Sequence, residues 1–187
     1  MKKLLLFASG SGTNVENIIR YFQEKKTAEV VAVFCNNPNA KVLERAQNLN
    51  IPTFVFSKEA LNSTLVLEKL SEYQPDLIVL AGFLLQFPIA IIKEFPNIIN
   101  IHPALLPRYG GKGMYGMHVH RAVLENKESE TGITIHYVTE NYDEGAFVFQ
   151  KSILIDDCVS PEDIAYKIHE LEQEHFPQVI NKLLQNI

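Results

Sequence analysis

The order of apolar runs predicts an α/β protein built on an open, mostly parallel sheet. Short buried-type strands alternate with segments of helical periodicity over the first hundred residues. Glycine, asparagine or proline closes several of the strand-like runs. The chain has 187 residues, 47% hydrophobic and 21% charged, which suits one domain with a full core.

Taken in order, Lys3–Ala8 reads as a first buried strand, ended by Ser9-Gly10-Ser11-Gly12. Thr13–Lys26 has helical spacing, with Val15, Ile18, Ile19 and Phe22 on one face. Glu29–Cys35 is a valine-rich strand closed by Asn36-Asn37-Pro38-Asn39. Ala40–Leu49 reads as a helix, Thr53–Phe56 as a short strand, and Leu61–Tyr73 as a helix stopped before Pro75. Leu77–Ala81 is a strand buried on both faces. Phe87–Phe95 is a short helix with proline near its start, and Ile98–Ile101 is a further strand. After residue 130 the style changes. Gly132–Val138 and Phe147–Ile155 read as strands with no long helix between them, so this part of the sheet is expected to be at least partly antiparallel. Ser160 then caps a long helix with Pro161 at its first position and a stripe of Ile164, Ile168, Leu171, Val179, Ile180, Leu183 and Leu184.

The chemistry concentrates in Asn100-Ile101-His102-Pro103. Residues i and i+2 of a strand share a face, so an amide and an imidazole aim at one substrate atom. An amide N–H and a protonated imidazole together suit a developing oxyanion, which points to acyl-type transfer. Asp143, in Thr139–Gly145, is a candidate partner whose carboxylate would keep His102 protonated. Glu140 and Glu144 compete with it, and a solvated turn acid is an equal reading. His136 faces either the site or the core.

Ser9–Asn14 follows a strand and opens a helix, the setting of an anion site. The dinucleotide fingerprint would need a third glycine at Val15 and an acid near Cys35-Asn36-Asn37. A single phosphate fits better; a tight turn capped by Thr13 or Asn14 is the plainer reading. His118 and His120 at the start of a helix point apart and do not chelate, so a pocket-lining or helix-start role is preferred and no metal is expected. Nothing local separates Glu172 from Glu170 or Glu174.

Net charge is −5, against nucleic-acid binding driven by bulk charge. Cys35 and Cys158 show neither metal spacing nor a disulfide framework. Leu4–Ala8 falls short of the roughly 7–15 apolar residues of a signal peptide, and no run approaches the roughly 20 of a membrane span. A cytoplasmic enzyme without membrane contact is expected.

These residues together resemble the folate-dependent glycinamide ribonucleotide formyltransferases of purine synthesis, over essentially the whole chain. The carriers are Ser9–Asn14, Ala81-Gly82-Phe83, Asn100–Pro107, His118–Arg121, His136–Gly145 and Glu172–Pro177. The resemblance implies a single Rossmann-like domain over 1–187, with helices on both sheet faces. Residues 1–100 would bind nucleotide phosphate, and 101–187 would carry catalysis and folate. It implies formyl transfer from 10-formyltetrahydrofolate, as co-substrate, to the amine of the ribonucleotide. Asn100, His102 and Asp143 match the catalytic trio. Gly12, Thr13 and Asn14 match the phosphate loop, and Glu172 the acid contacting the substrate amine. Leu84, Leu85 and Phe87 match the pterin pocket, with Asn100 and Thr139, Glu140, Asn141, Tyr142 and Asp143. Partners would be small molecules only, with the enzyme a monomer or homodimer. Leu85 stands where many relatives carry arginine. The glycine-rich stretch Tyr109–Met117 is longer than the family's usual loop and reads as a lid or an exposed loop, with Lys112 toward the folate's glutamate tail. The competing readings are a formyltetrahydrofolate hydrolase, which usually carries an extra N-terminal domain, a methionyl-tRNA or sugar-nucleotide formyltransferase, and a non-catalytic nucleotide-binding module.

Overall fold

The computed structural model describes every residue, Met1–Ile187. The first half alternates strand and helix: β1 (Lys2–Ala8), α1 (Thr13–Lys25), β2 (Ala28–Cys35), α2 (Lys41–Asn48), β3 (Thr53–Val55), α3 (Lys58–Leu61), α4 (Thr64–Tyr73), β4 (Leu77–Leu80), α5 (Ile89–Glu94) and β5 (Ile98–His102). The second half holds α6 (Met117–Glu125), β6 (Glu130–Tyr137), β7 (Phe147–Leu154) and α7 (Pro161–Leu184).

All seven strands form one sheet in the order β3-β2-β1-β4-β5-β6-β7. The pairs among β1 to β5 are parallel, whereas β5–β6 and β6–β7 are antiparallel. Alternate side chains of β1 feed two cores. Leu4 and Leu6 pack with Val15, Ile18, Val119, Ile164 and Ile168 on one face. Leu5 and Phe7 pack with Phe34, Val66, Leu70 and Ile91 on the other. Helices therefore cover both faces, and β4 is buried at every position, as a parallel central strand requires.

The chain runs outward from β1 through β2 to β3, then returns to β4 beside β1 and proceeds the other way. This reversal leaves a crevice outside the carboxyl ends of β1 and β4, where open α/β sheets hold ligands.

Two elements differ from the sequence reading. The helix expected over Leu61–Tyr73 starts instead at Thr64, and Leu61 closes a separate short helix, α3, that the sequence reading did not contain. Ser57 Oγ accepts from Ala60 N–H at 3.2 Å and Ser63 Oγ from Leu65 N–H at 3.2 Å, so each serine starts its own helix. Asn62 Nδ2 donates to Lys58 O at 2.8 Å and ends the first. The helix expected from Phe87 begins at Ile89, because the Phe87 ring is drawn into the aromatic core against Phe7, with centroids 5.0 Å apart. At the far end, Ser160 and Asp163 form a reciprocal capping box and Pro161 occupies the first turn of α7.

Candidate active site

One large pocket, about 680 Å³, opens over the carboxyl ends of β1, β4 and β5. Its walls are the β1–α1 loop, the turn after β4, the end of β5, the glycine-rich stretch 111–116, the start of α6, and one face of α7.

At one end stands the β1–α1 turn. Gly12 is the N-cap of α1, with φ 74° and no side-chain capping bond. Neither Thr13 nor Asn14 caps the helix. The first-turn N–H groups thus keep their hydrogen-bonding capacity, beside the positive end of the helix dipole. Only glycine fits, since a Cβ would lie 2.4 Å from Val42 Cγ2 and φ is left-handed. Asn14 is turned toward α7, where its Nδ2 donates to Glu172 Oε2 at 2.8 Å. Burial pushes the Glu172 carboxyl up to about 7, against the lowering effect of that bond. His169, one turn earlier on α7, lines the same wall.

At the other end the β5–β6 register sets Asn100 opposite His136 and His102 opposite Thr134. Asp143 reaches between the two imidazoles. Its Oδ2 lies 3.5 Å from His102 Nδ1 and its Oδ1 lies 3.4 Å from His136 Nε2. Gly111 N–H also donates to Oδ2, at 2.9 Å. Asp143 holds φ 57°, a left-handed conformation that aspartate tolerates better than most residues. Its side chain is only 11% exposed, so it is no solvated turn acid. Glu140 and Glu144 are exposed, and Glu144 accepts from Asn141 Nδ2 at 2.8 Å, so neither competes. Burial pushes Asp143 up, but the His136 hydrogen bond, the charge of His102 and Gly111 N–H outweigh it, leaving the carboxyl below its usual range.

The expectation that Asp143 keeps His102 charged needs correction. Burial pulls the His102 imidazole below its ordinary value; Asp143 and the Tyr109 carbonyl oppose this without overcoming it, and His136 adds to it. Both ring nitrogens also face protein groups, since Nε2 donates to Tyr109 O at 2.7 Å. Asn100 Nδ2 lies 3.3 Å from His136 Nε2, and His136 Nδ1 lies 2.9 Å from Tyr137 O. The site is an electrostatic cluster of one carboxylate, two imidazoles and an amide.

Residues 2–180 match the family described as formyl transferase. The chain belongs to the formyl transferase family. It is 37% identical to the phosphoribosylglycinamide formyltransferase of Bacillus subtilis (strain 168), with 98% of this chain and 95% of that protein covered. It is 35% identical to the chloroplastic phosphoribosylglycinamide formyltransferase of Arabidopsis thaliana, covering 97% of this chain and 65% of that longer protein. Its fold matches the crystal structure of glycinamide ribonucleotide transformylase 1 from Geobacillus kaustophilus with a TM-score of 0.89 at 36% identity, covering 98% and 99% of the two chains.

The sequence-expected residues of this formyl transferase fall into three groups. Gly12, Thr13, Asn14, Glu172, Asn100, His102 and Asp143 line the large pocket. Leu85, Phe87, Thr139, Asn141, Tyr142, Asp143 and Asn100 line an adjoining cleft of about 60 Å³, with His136 and Val138. Leu84 is half exposed and faces the large pocket instead, while Glu140 lines neither space and offers its carbonyl to Gln86 Nε2 at 2.8 Å. Lys112 lines the large pocket. His118 is exposed and His120 buried, so the two diverge on α6 as their spacing requires. Sequence reasoning missed Gly111 N–H, the Tyr109 carbonyl and His169. Only His169 carried a signal, three residues before Glu172 on a helix.

Proposed function

We propose that this protein transfers the formyl group from N10 of 10-formyltetrahydrofolate to the amine of glycinamide ribonucleotide, giving formylglycinamide ribonucleotide and tetrahydrofolate. The observation that carries this reading is the seating of Asp143 between His102 and His136, beside Asn100, in a pocket whose far end holds Glu172 and the uncapped start of α1.

The ribonucleotide's phosphate sits on the first-turn N–H groups of Gly12, Thr13 and Asn14. Its amine meets Glu172. A carboxyl held at about 7 accepts a proton from the substrate ammonium near neutral pH, freeing the nucleophile. The pterin enters the cleft walled by Leu85, Phe87 and Val138, with backbone groups of 139–143 reading its edge. Lys112 meets the folate's glutamate tail. Residues 1–100 thus supply mainly the phosphate end, and 101–187 the catalytic and folate-binding groups.

The amine attacks the formyl carbon directly, and the C=O bond opens to a tetrahedral oxyanion. The Asn100 amide donates to that charge, and the positive charge His102 gains on taking up a proton stabilises it electrostatically. His102 starts neutral, so it takes up the proton that the attacking nitrogen loses, directly or through a water ordered by Asp143. It then delivers that proton to N10 as the C–N10 bond breaks. Asp143, anionic throughout, supports the transient imidazolium.

We read the enzyme as a cytoplasmic monomer or homodimer acting on small molecules, without nucleic-acid or membrane partners. Two free thiols suit a reducing compartment, and no helix is long and apolar enough to cross a membrane. The test is release of deformylated folate from 10-formyltetrahydrofolate with and without glycinamide ribonucleotide. Release that requires the ribonucleotide supports the transferase. Release without any acceptor replaces it with a hydrolase, and no release in either case leaves a binding module or a different acceptor.

A further inference from the structure

His120 is 5% exposed, lines the large pocket, and takes no part in the mechanism above. No protein group reaches its Nδ1, the one buried side-chain polar atom without a partner. Such an atom costs stability, so the ring is not placed there by a bond from Nδ1 to the protein. A buried N–H left unpaired is rarer than an unpaired acceptor, which places the ring proton on Nε2. Nε2 has no protein partner either and is not fully buried, so it is the ring nitrogen open to the pocket. Burial chiefly, with nearby His102 adding to it, holds the imidazole at about 4, so it is uncharged at neutral pH.

The position narrows the acceptor. His120 lies in the first turns of α6, the helix packed on α7. It lines the same pocket as Ala165, Ile168, His169 and Glu172 of α7, and does not line the apolar cleft of Leu85 and Val138. An uncharged N–H suits an uncharged oxygen better than a phosphate, which charge-assisted donors hold more strongly. We infer that His120 donates Nε2–H to a neutral oxygen of the ribonucleotide, on the stretch between its phosphate and its amine. The inference rests on the ribonucleotide reading above, and makes His120 a specificity-determining residue for that substrate.

The experiment compares wild type with His120→Leu and His120→Gln. Leucine removes both ring nitrogens at similar volume, whereas the glutamine amide restores a donor near the position of Nε2. Wild-type turnover that depends on the ribonucleotide is established first, so failure of the reaction reading is seen separately. His120→Leu is expected to raise KM for the ribonucleotide about tenfold, the size of one lost neutral hydrogen bond. KM for the formyl-folate, kcat, and inhibition by inorganic phosphate should stay within about twofold. His120→Gln should recover most of the loss. His120→Leu should also melt no lower than wild type, because it deletes an unpartnered buried nitrogen. A merely structural histidine would give the reverse, lower melting with an unshifted KM. Three results overturn the inference: an unchanged ribonucleotide KM in His120→Leu, equal weakening of inorganic phosphate, or glutamine as impaired as leucine.

Discussion

Replacing Glu172 with glutamine separates what this residue does for the fold from what it does for the reaction. The carboxyl is shifted from 4.5 to about 7, chiefly by burial. A raised folded-state value means that the native protein binds the proton more tightly than the unfolded chain. The associated stability is fully present below pH 4.5 and is lost as pH climbs through 7. A span of about 2.5 units corresponds to about 3 kcal/mol at 1.36 kcal/mol per unit. The side chain stands in a pocket wall open to solvent, which screens part of this, so about 1–2 kcal/mol is expected. Glutamine mimics the protonated acid and still offers an oxygen to Asn14 Nδ2. Urea unfolding of both proteins at pH 5 and pH 8 isolates the effect, because every other titrating group cancels in the difference. The two should be nearly equal at pH 5. At pH 8 the Glu172→Gln protein should be more stable by about 1–2 kcal/mol, or about 2–8 °C in Tm for a chain of this size. Activity moves the other way. kcat/KM for the ribonucleotide should fall about a hundredfold, and its acidic limb near pH 7 should flatten. Parallel stability curves at the two pH values would refute the reasoning, as would an acidic limb left intact.

The remaining predictions concern the two ends of the pocket and its loop. His102→Ala should fold, as far-ultraviolet circular dichroism would show, and lose turnover on the order of 10²–10³-fold. Asp143→Asn keeps an acceptor for Gly111 N–H but removes the charge that lifts His102, so an NMR titration should find the imidazole titrating lower still, with reduced turnover. Gly12→Ala forces a Cβ against Val42 at a left-handed φ; it should cost about 1–3 kcal/mol in urea unfolding and raise KM for the ribonucleotide. Lys112→Ala should raise KM for polyglutamylated folate about three- to tenfold and leave the monoglutamate less affected; an unchanged folate KM would remove the assignment.

The fold was legible because its signal is local and repeated. Strands such as Leu77–Leu80, buried on both faces, appear as unbroken apolar runs, and the capping box at Ser160 and Asp163 marks the last helix. The short helix α3 and the later start of α4 at Thr64 were not legible, because both are set by the capping hydrogen bonds of Ser57 and Ser63 and not by apolar period. At the site, Asn100 and His102 announced themselves by strand spacing. Asp143 emerged from three neighbouring acids only through the resemblance, since its selection depends on a left-handed turn and a contact across β6. The charge state of His102 could not be read from composition. The sequence shows a carboxylate that would raise it, but not the burial that wins.

The groups gathered at the sheet's switch point share a physical property that explains why they occur together. Glu172 is held near neutrality, His102 is drained of charge by burial, Asp143 sits at positive φ, and His120 carries an unpartnered nitrogen. Each is a local cost to the fold, and under the proposed reaction each has a use: Glu172 receives a proton from the ammonium, His102 accepts one from the attacking nitrogen, Asp143 supports the imidazolium that forms, and His120 bonds an oxygen. Costs of this kind persist only where the surrounding fold over-determines the conformation. The carboxyl ends of β1, β4 and β5 meet that condition, with buried strands below and α7 packed alongside. The same burial that makes the cluster expensive also excludes water and strengthens its fields, which preorganises the site for charge that develops in a transition state.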